Sequence, residues 1–156
     1  MKRTFRKQFG QLLIYGFVTW LQKAEGITSI VPNKPNRHYV LMDLDETNLF
    51  EVTKNLEETI KKYKLKNIVI MSDKPTSFRI FSPTIVEFET LIKILLDTKG
   101  IDFNFIKWTM RREYATIRIS KKKGRNDMKI LNILKHDGKY KPTIDMFKLI
   151  EYQTDI

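Results

Sequence analysis

The sequence predicts an α+β fold in which a sheet carries helices on one of its faces. Short apolar segments typical of buried strands alternate with longer segments whose apolar residues have helical spacing. In two places one predicted strand follows another without a helix between them, which favours antiparallel pairing. The chain of 156 residues is long enough for one domain with a substantial core. We therefore expect a single domain over residues 1–156.

The first predicted elements are a helix and a strand. Apolar residues from Phe5 to Gln22 recur at helical spacing, which predicts a basic N-terminal helix within residues 1–26. A loop with two prolines follows. The apolar segment 38–44 then predicts a buried strand that ends in acidic residues. Residues 49–63 place their apolar side chains on one face and predict the next helix.

The middle of the chain predicts two strands and a helix. Residues 67–71 and 77–82 are short apolar segments separated by a turn, which is typical of adjacent strands. Residues 84–98 show helical spacing, and Pro83 suits a first helical turn because its φ is fixed and it lacks a donor. The order up to this point is β-α-β-β-α.

The remaining elements are predicted to be two strands, a short helix and a weak tail. Residues 101–110 and 113–120 are the predicted strands, and apolar alternation is clearest in the second one. Residues 127–134 are predicted to form a short helix. A basic loop and a C-terminal tail occupy residues 121–156. The whole core then has the order β-α-β-β-α-β-β.

Charge is large and segregated along the chain. The 29 Lys and Arg residues exceed the 18 Asp and Glu residues and give a net charge of +11. Residues 107–135 hold ten basic residues against two acids, whereas residues 43–102 hold most of the acids. A proteome-wide lysine bias is the alternative explanation, but it would not segregate charge in this way. The distribution favours an anionic polymer as the partner.

Composition excludes several classes of site. The chain has no cysteine and two histidines, so thiolate metal sites, disulfide scaffolds, cysteine nucleophiles and histidine cages are excluded. A bound metal would need carboxylate ligands, which favours magnesium or manganese. No apolar segment reaches the ~20 residues of a membrane span, and no secretory signal is evident. We expect a cytoplasmic protein without a membrane partner.

An acidic pair lies at the end of the strand over residues 38–44. Asp43 and Asp45 alternate, so both carboxylates should lie on one face of the sheet. Two oxygen donors on a rigid strand suit a divalent cation whose other positions are filled by nucleotide phosphates. The alternative is a solvated strand end with Asp45 or Thr47 as the cap of the next helix.

Two families begin with such a pair. The string from Asp43 to Thr47 resembles the D-x-D-x-T motif of haloacid-dehalogenase-type phosphatases, and Ser72 could end the next strand as those enzymes require. They also need a later acidic pair for magnesium and a parallel sheet, and the sequence predicts neither. This resemblance therefore implies a less favoured phosphatase function.

A second resemblance covers residues 38–120, roughly half of the chain. The chain resembles the catalytic core of archaeo-eukaryotic-type primases, the primase–polymerases of many plasmids and phages. Their pattern is a strand ending in D-x-D, a small-x-His strand, an apolar–Asp pair and a strand that carries Arg. The corresponding positions are Asp43 and Asp45, Ser77-Phe78-Arg79, Ile101-Asp102, and Arg118.

This resemblance implies an RRM-like β-α-β-β-α-β sheet and a DNA or RNA nucleotidyltransferase that acts in replication of a plasmid or phage. It also implies Mg²⁺ or Mn²⁺ as cofactor, single-stranded DNA or RNA and nucleoside triphosphates as partners, a replicative helicase nearby, and association with the nucleoid or replicon. The implied catalytic and metal-binding residues are Asp43, Asp45 and Asp102. The implied nucleotide contacts are Lys74, Ser77, Arg79 and Arg118.

One position departs from the family pattern, because Arg79 stands where the primases have His. Arginine binds phosphate well but cannot act as a neutral imidazole. A non-catalytic protein of the same fold that binds single-stranded nucleic acid is therefore the alternative.

Cations alternate with aromatic residues from residue 107 to residue 125. A strand pair that ends in a basic loop can follow a phosphate backbone, and an exposed Trp or Tyr can stack on bases. Core packing of Trp108 and Tyr114 is the alternative. The predicted nucleic-acid contacts are Lys107, Trp108, Arg111, Arg112, Tyr114, Lys121, Lys122, Lys123 and Arg125.

Overall fold

The computed structural model describes residues 2–9, 12–19, 21–34, 36–122, 124–135 and 150–155. Its helices are α1 (Leu49–Tyr63), α2 (Phe88–Asp97) and α3 (Phe103–Arg112). Its strands are β1 (Lys2–Phe9), β2 (Leu12–Thr19), β3 (Leu21–Thr28), β4 (Arg37–Asp45), β5 (Ile68–Lys74), β6 (Ser77–Glu87), β7 (Thr116–Arg118), β8 (Lys129–Leu134) and β9 (Ile150–Asp155). The predicted α+β class is confirmed.

The main sheet has four antiparallel strands in the order β4-β6-β5-β8. Strand β6 lies between β4 and β5, so the connection through α1 passes over one strand position. The described residues form two further sheets, a hairpin of β1 and β2 and a three-stranded sheet in the order β7-β3-β9. The main sheet positions the residues discussed below.

The hydrophobic core lies between the main sheet and its helices. Alternate residues of β4, namely Val40, Met42 and Leu44, are fully buried. Leu44 and Asn55 of α1 both lie within 3.7 Å of the point where a Cβ on Gly100 would stand, so Leu44 points toward α1. Burying each such aliphatic side chain stabilises the fold by about 1.5–3 kcal/mol. The opposite face of β4 carries Leu41, which is also fully buried, and then Asp43 and Asp45 toward the end of the strand.

Helix α1 begins because Asn48 caps it. The Asn48 side chain accepts a hydrogen bond of 3.0 Å from the backbone N–H of Glu51. Neither Asp45 nor Thr47 is the cap, because the hydroxyl of Thr47 donates to the Glu51 carboxylate instead. The helix ends at Lys64, whose φ of 53° is left-handed. Among the described residues, no helix is both long enough and apolar enough to cross a membrane.

The predicted N-terminal helix over residues 1–26 is wrong. The described part of this region forms β1, β2 and β3, and β1 pairs with β2 from Lys2–Thr19 to Phe9–Leu12. The apolar residues of β2 fit both a helical and an extended period, but Ile14, Val18 and the neighbouring aromatic residues favour extended backbone. Pairing within a hairpin then satisfies the backbone groups of both strands.

Two other elements differ in type from the prediction. Residues 101–110 were expected to form a strand, but only Ile101 bridges to β4, and α3 begins at Phe103 because Asp102 caps it. Residues 127–134 were expected to form a helix, but β8 pairs with β5 there. The described core therefore has the order β-α-β-β-α-α-β-β, and its fourth sheet strand lies beside β5.

Helix α2 begins later than predicted, at Phe88 rather than at residue 84. Pro83 lies inside β6, where the register against β4 shifts between Tyr39 and Val40 and the pairing with β5 ends at Phe81. A proline is tolerated there because no ladder donor is required at an irregular, unpaired position. Most of the predicted C-terminal tail lies outside the described residues, and residues 150–155 form β9.

Candidate functional site

Two carboxylates lie at the end of β4, as the sequence alternation predicts. Asp43 is the register partner of Arg79 on β6, and Asp45 is the register partner of Ser77. All four side chains belong to the sheet face opposite Leu44, because residues two apart on a strand share a face. Asp43, Asp45, Ser77 and Arg79 therefore form one cluster at one end of the main sheet.

Asp102 joins this end of the sheet through its backbone. Its N–H donates to the carbonyl oxygen of Asp43 over 2.9 Å, and Ile101 forms a bridge with Leu44. Gly100 makes the approach possible, since its φ of +83° is one that side chains rarely allow. One carboxylate oxygen of Asp102 accepts a hydrogen bond of 3.0 Å from Asn104 N–H and so caps α3.

Behind the acidic pair lies a buried ion-pair cluster. The Arg79 guanidinium lies 3.3 Å from a carboxylate oxygen of Asp73, and the two side chains are only 8 % and 3 % exposed. Arg125 reaches the same carboxylate, with its Nη1 at 3.2 Å and 3.3 Å from the two oxygens. Arg79 also contacts the sulfur of Met128 at 3.7 Å. Asp73 thus holds two arginines in fixed positions.

A β-bulge on β5 creates this arrangement. Ser72 pairs with Phe78 and Lys74 pairs with Ser77, so Asp73 is an extra residue in the ladder. Without the bulge, Lys74 would share a face with Ser72. The bulge turns Lys74 to the acidic face, where its ammonium lies 3.9 Å from a carboxylate oxygen of Asp45.

Burial dominates the electrostatics of Asp43. Burial raises the pKa of Asp43 from 3.8 to about 6, Arg79 opposes this, and the charges of Asp45 and Asp102 raise the pKa further. Its Oδ1 is buried and has no hydrogen-bond partner among the described residues, and the same holds for the hydroxyl of Ser77. An orphaned buried carboxylate oxygen is costly unless something binds it.

The donor set fits a divalent cation through two residues rather than three. Within the part of the chain that the structure describes, no three carboxylate or imidazole groups lie close enough together to hold a metal ion. Asp43 offers an unpartnered oxygen, and Asp45 lies on the same face of the same strand. Asp102 has one oxygen committed to the α3 cap. A divalent cation at this end of the sheet would therefore be held by the pair on β4.

The predicted nucleotide contacts divide into two groups. Lys74, Ser77 and Arg79 lie together at the acidic face. Arg118 on β7 is engaged elsewhere, because its guanidinium donates to the carbonyl oxygens of Ser120 and Lys121 at 3.3 and 3.0 Å. Arg118 therefore holds the start of the basic loop in place.

The predicted nucleic-acid contacts of residues 107–112 lie on α3 rather than on a strand. Trp108 is 45 % exposed, which contradicts core packing as its role. The guanidinium carbons of Arg111 and Arg112 lie 5.4 Å and 5.2 Å from its ring centroid, within the range of cation–π contacts. Lys107 is exposed and Tyr114 is half-buried. Arginines beside an exposed indole form a surface able to stack on a base.

The basic loop points in two directions. Lys122 is exposed, and Lys121 lies 3.6 Å from the exposed carboxylate of Asp127. Arg125 instead turns inward to Asp73, so it is not a free phosphate contact. Lys123 lies outside the described residues. The loop is thereby tied to the bulge on β5, because the Asn126 N–H also donates to the carbonyl oxygen of Asp73 at 3.2 Å.

Sequence reasoning missed Asp73. The residue stands in the string Ser72-Asp73-Lys74-Pro75, which reads as a turn. In the structure it is 4 % exposed and accepts two arginines. No periodic signal marks a bulge residue, so nothing in the sequence pattern indicated that Asp73 is buried.

Comparison of the chain with protein-family models, with curated proteins and with solved structures gave no match.

Proposed function

We propose that this chain is a primase–polymerase-like nucleotidyltransferase domain that acts on single-stranded nucleic acid in the replication of a plasmid or phage. The observation that carries the proposal is the meeting of three separate segments at one end of the sheet. These segments are the strand end with Asp43 and Asp45, the Ser77-x-Arg79 segment, and the Ile101-Asp102 pair. They are three of the four segments on which the family resemblance rests; the fourth carries Arg118, which is engaged with the carbonyl oxygens of Ser120 and Lys121.

The fold is compatible with this proposal in part. In the unit β4-α1-β5-β6, the last strand lies between the first two, which is the split β-α-β arrangement of RRM-like sheets. The fourth strand is β8 beside β5, so the proposal is a divergent form of that sheet.

In the proposed reaction, Asp43 and Asp45 hold Mg²⁺ or Mn²⁺. Such a cation supplies charge neutralisation of a triphosphate and activation of a hydroxyl nucleophile when it is bound. Asp43 provides a buried oxygen without a partner, and Asp45 provides the second ligand from the same face. One oxygen of Asp102 is committed to the α3 cap, so any contribution of this residue would come from its other oxygen.

Nucleotide phosphates meet three side chains at this face. Lys74 supplies a half-buried ammonium beside Asp45, and Ser77 supplies a buried hydroxyl without a partner among the described residues. Arg79 supplies positive charge but stays paired with Asp73. The exposed Trp108, with its two arginines, supplies the stacking surface for a template base.

A non-catalytic protein that binds single-stranded nucleic acid is the second candidate. It is favoured by the buried pair of Arg79 with Asp73, which occupies the position of the family's His with a group that cannot transfer a proton. The phosphatase alternative is disfavoured, because the main sheet is antiparallel.

The test is incorporation of labelled nucleotides on single-stranded DNA and RNA with Mn²⁺ or Mg²⁺. We expect Asp43→Asn and Asp45→Asn each to reduce incorporation on the order of 100-fold or more. Glu89→Gln, which removes an exposed carboxylate from α2, is the matched control and should leave incorporation unchanged.

A second readout separates cation binding from catalysis. Mn²⁺ should raise the melting temperature of the wild-type chain and of Glu89→Gln, because a ligand that binds only the folded state stabilises it. Asp43→Asn should lose that increase. Wild-type protein that binds strands in a salt-sensitive way, yet shows neither incorporation nor a response to Mn²⁺, would be a binding protein.

A further inference from the structure

An open groove of about 960 Å³ lies at the end of the main sheet away from the acidic cluster. Its floor is apolar and consists of Ile60, Leu65 and Leu134. Ile60 and Leu65 are buried members of the core, and Leu134 packs against it. The groove begins where β5 begins, whereas the acidic cluster lies where β5 ends. With seven residues and a rise of ~3.3 Å per residue, the two ends are about 20 Å apart.

Four lysines surround this floor, and they come from two separate segments of the chain. Lys61 stands in the last turn of α1, Lys64 and Lys66 follow that helix, and Lys135 follows β8. All four are exposed. Glu57 is the acidic residue of the lining.

Unlike Lys62 and Lys99, these four lysines have no ionic partner among the described residues. Lys62 pairs with Asp97 at 2.6 Å and Lys99 pairs with Glu58 at 3.8 Å. No carboxylate of the described chain lies within ion-pair distance of the four groove lysines. Their backbone is nevertheless fixed: Lys135 accepts a hydrogen bond of 3.1 Å from Asn67 N–H.

Compensation of the α1 dipole explains only part of this cluster. A cation in the last helical turn is stabilised by the partial negative charge of the helix end, which accounts for Lys61. That effect falls off within one turn, so it does not account for Lys66 or for Lys135 on a different element. The convergence of the four around an apolar floor needs another explanation.

We propose that this groove binds the sugar–phosphate backbone of a single-stranded nucleic acid. The ammonium groups contact successive phosphates, and the apolar floor takes the face of a sugar or base. Charge complementarity supports a polyanion, since four lysines face one glutamate in a chain of net charge +11. The inference shares its nucleic-acid partner with the proposed function, and in that respect rests on it. It concerns a second contact far from the acidic cluster.

The test compares two triple variants with the same loss of charge. The groove variant is Lys61→Gln/Lys66→Gln/Lys135→Gln. The control is Lys34→Gln/Lys93→Gln/Lys99→Gln, which changes exposed lysines outside the groove. Binding of a labelled single-stranded 20-nucleotide probe is measured by fluorescence anisotropy over a range of salt concentrations.

We expect the slope of log K against log salt to become about 2 units less steep in the groove variant, at ~0.7 per lost phosphate contact. The control should change little. Both variants should stay folded with urea midpoints near that of the wild type, because all six side chains are exposed and only the helix-dipole contact of Lys61 and the exposed Lys99–Glu58 pair are lost.

If the wild type binds the probe and the two variants have the same slope of log K against log salt, the groove does not bind the strand. The proposed function would remain intact in that case. A wild type that binds no single strand would overturn the proposed function as well. The inference would also be overturned if the groove variant lost binding to vesicles of anionic lipid but bound the strand as the wild type does. The groove would then bind a membrane surface.

Discussion

The two ends of the main sheet carry positive charge in opposite ways. At the acidic end, Arg79 and Asp73 are 8 % and 3 % exposed and fix one another, together with Arg125. At the other end, Lys61, Lys66 and Lys135 are exposed and have no described ionic partner. Buried ion pairs hold their side chains in one arrangement but lose solvation, whereas exposed charges contribute only to the electrostatic potential at the surface. Substitutions should therefore affect stability at the first end and affinity at the second.

The largest expected effect comes from breaking the buried cluster. Asp73→Ala leaves two arginines without their shared carboxylate, and we expect a loss of about 3–5 kcal/mol in the free energy of unfolding. The measurement is urea denaturation at pH 7. Glu87→Ala, which breaks the exposed pair with Arg37, is the control and should cost less than about 1 kcal/mol. A similar small loss for Asp73→Ala would mean that solvent screens the cluster.

A smaller effect sharpens the electrostatic account of the same end. Burial raises the pKa of Asp43 from 3.8 to about 6, so the folded state binds a proton more tightly than the unfolded state does. Stability from this group is therefore present below about pH 4 and is lost as pH rises to about 6. Asp43→Asn removes the ionisation, and we expect it to be more stable than wild type above pH 6, by up to about 3 kcal/mol.

Urea denaturation of the two proteins between pH 3.5 and pH 8 measures this difference. The advantage of Asp43→Asn should grow between pH 4 and pH 6 and stay constant above that range. An advantage that does not change with pH would show that Asp43 has an ordinary pKa. Mn²⁺ should shrink the advantage, because a bound cation favours the ionised carboxylate.

The smallest expected effect concerns the exposed surface of α3. Trp108→Ala should weaken binding of a single-stranded probe by about 1–3 kcal/mol, which is the usual contribution of one stacked base. Because Trp108 is half exposed, its effect on unfolding should be far smaller than that of Asp73→Ala. Leu96→Ala, at an exposed apolar position on α2, is the control for binding. If Trp108→Ala and Leu96→Ala bind the probe equally well, Trp108 does not contact the strand.

The part of the fold that sequence predicts best is the part with one clear period. The strand over residues 38–44 and the helix over residues 49–63 are confirmed, and the alternation of Asp43 with Asp45 places both on one sheet face. The buried alternation of Ala115, Ile117 and Ile119 is confirmed as well. In these segments, local pattern and tertiary packing favour the same conformation.

The errors occur where two patterns compete or where one residue decides. The apolar residues between positions 5 and 22 fit both a helical and an extended period, and the pairing of β1 with β2 decides for the extended one. Residues 101–110 were expected to form a strand, but Asp102 caps α3, and that cap depends on a single side-chain hydrogen bond. The role of Asp73 depends on a bulge that adds one residue to a ladder, and no composition or spacing signals it.

The hydrogen bond between Asp102 N–H and the carbonyl of Asp43 has a consequence for spectroscopy. This amide joins α3, which bears Trp108, to the strand end that bears the acidic pair. Its exchange with deuterium requires the two segments to separate, so its protection factor reports that local opening directly. A single backbone resonance would then distinguish a ligand that tightens the acidic end from one that binds only at the distant groove.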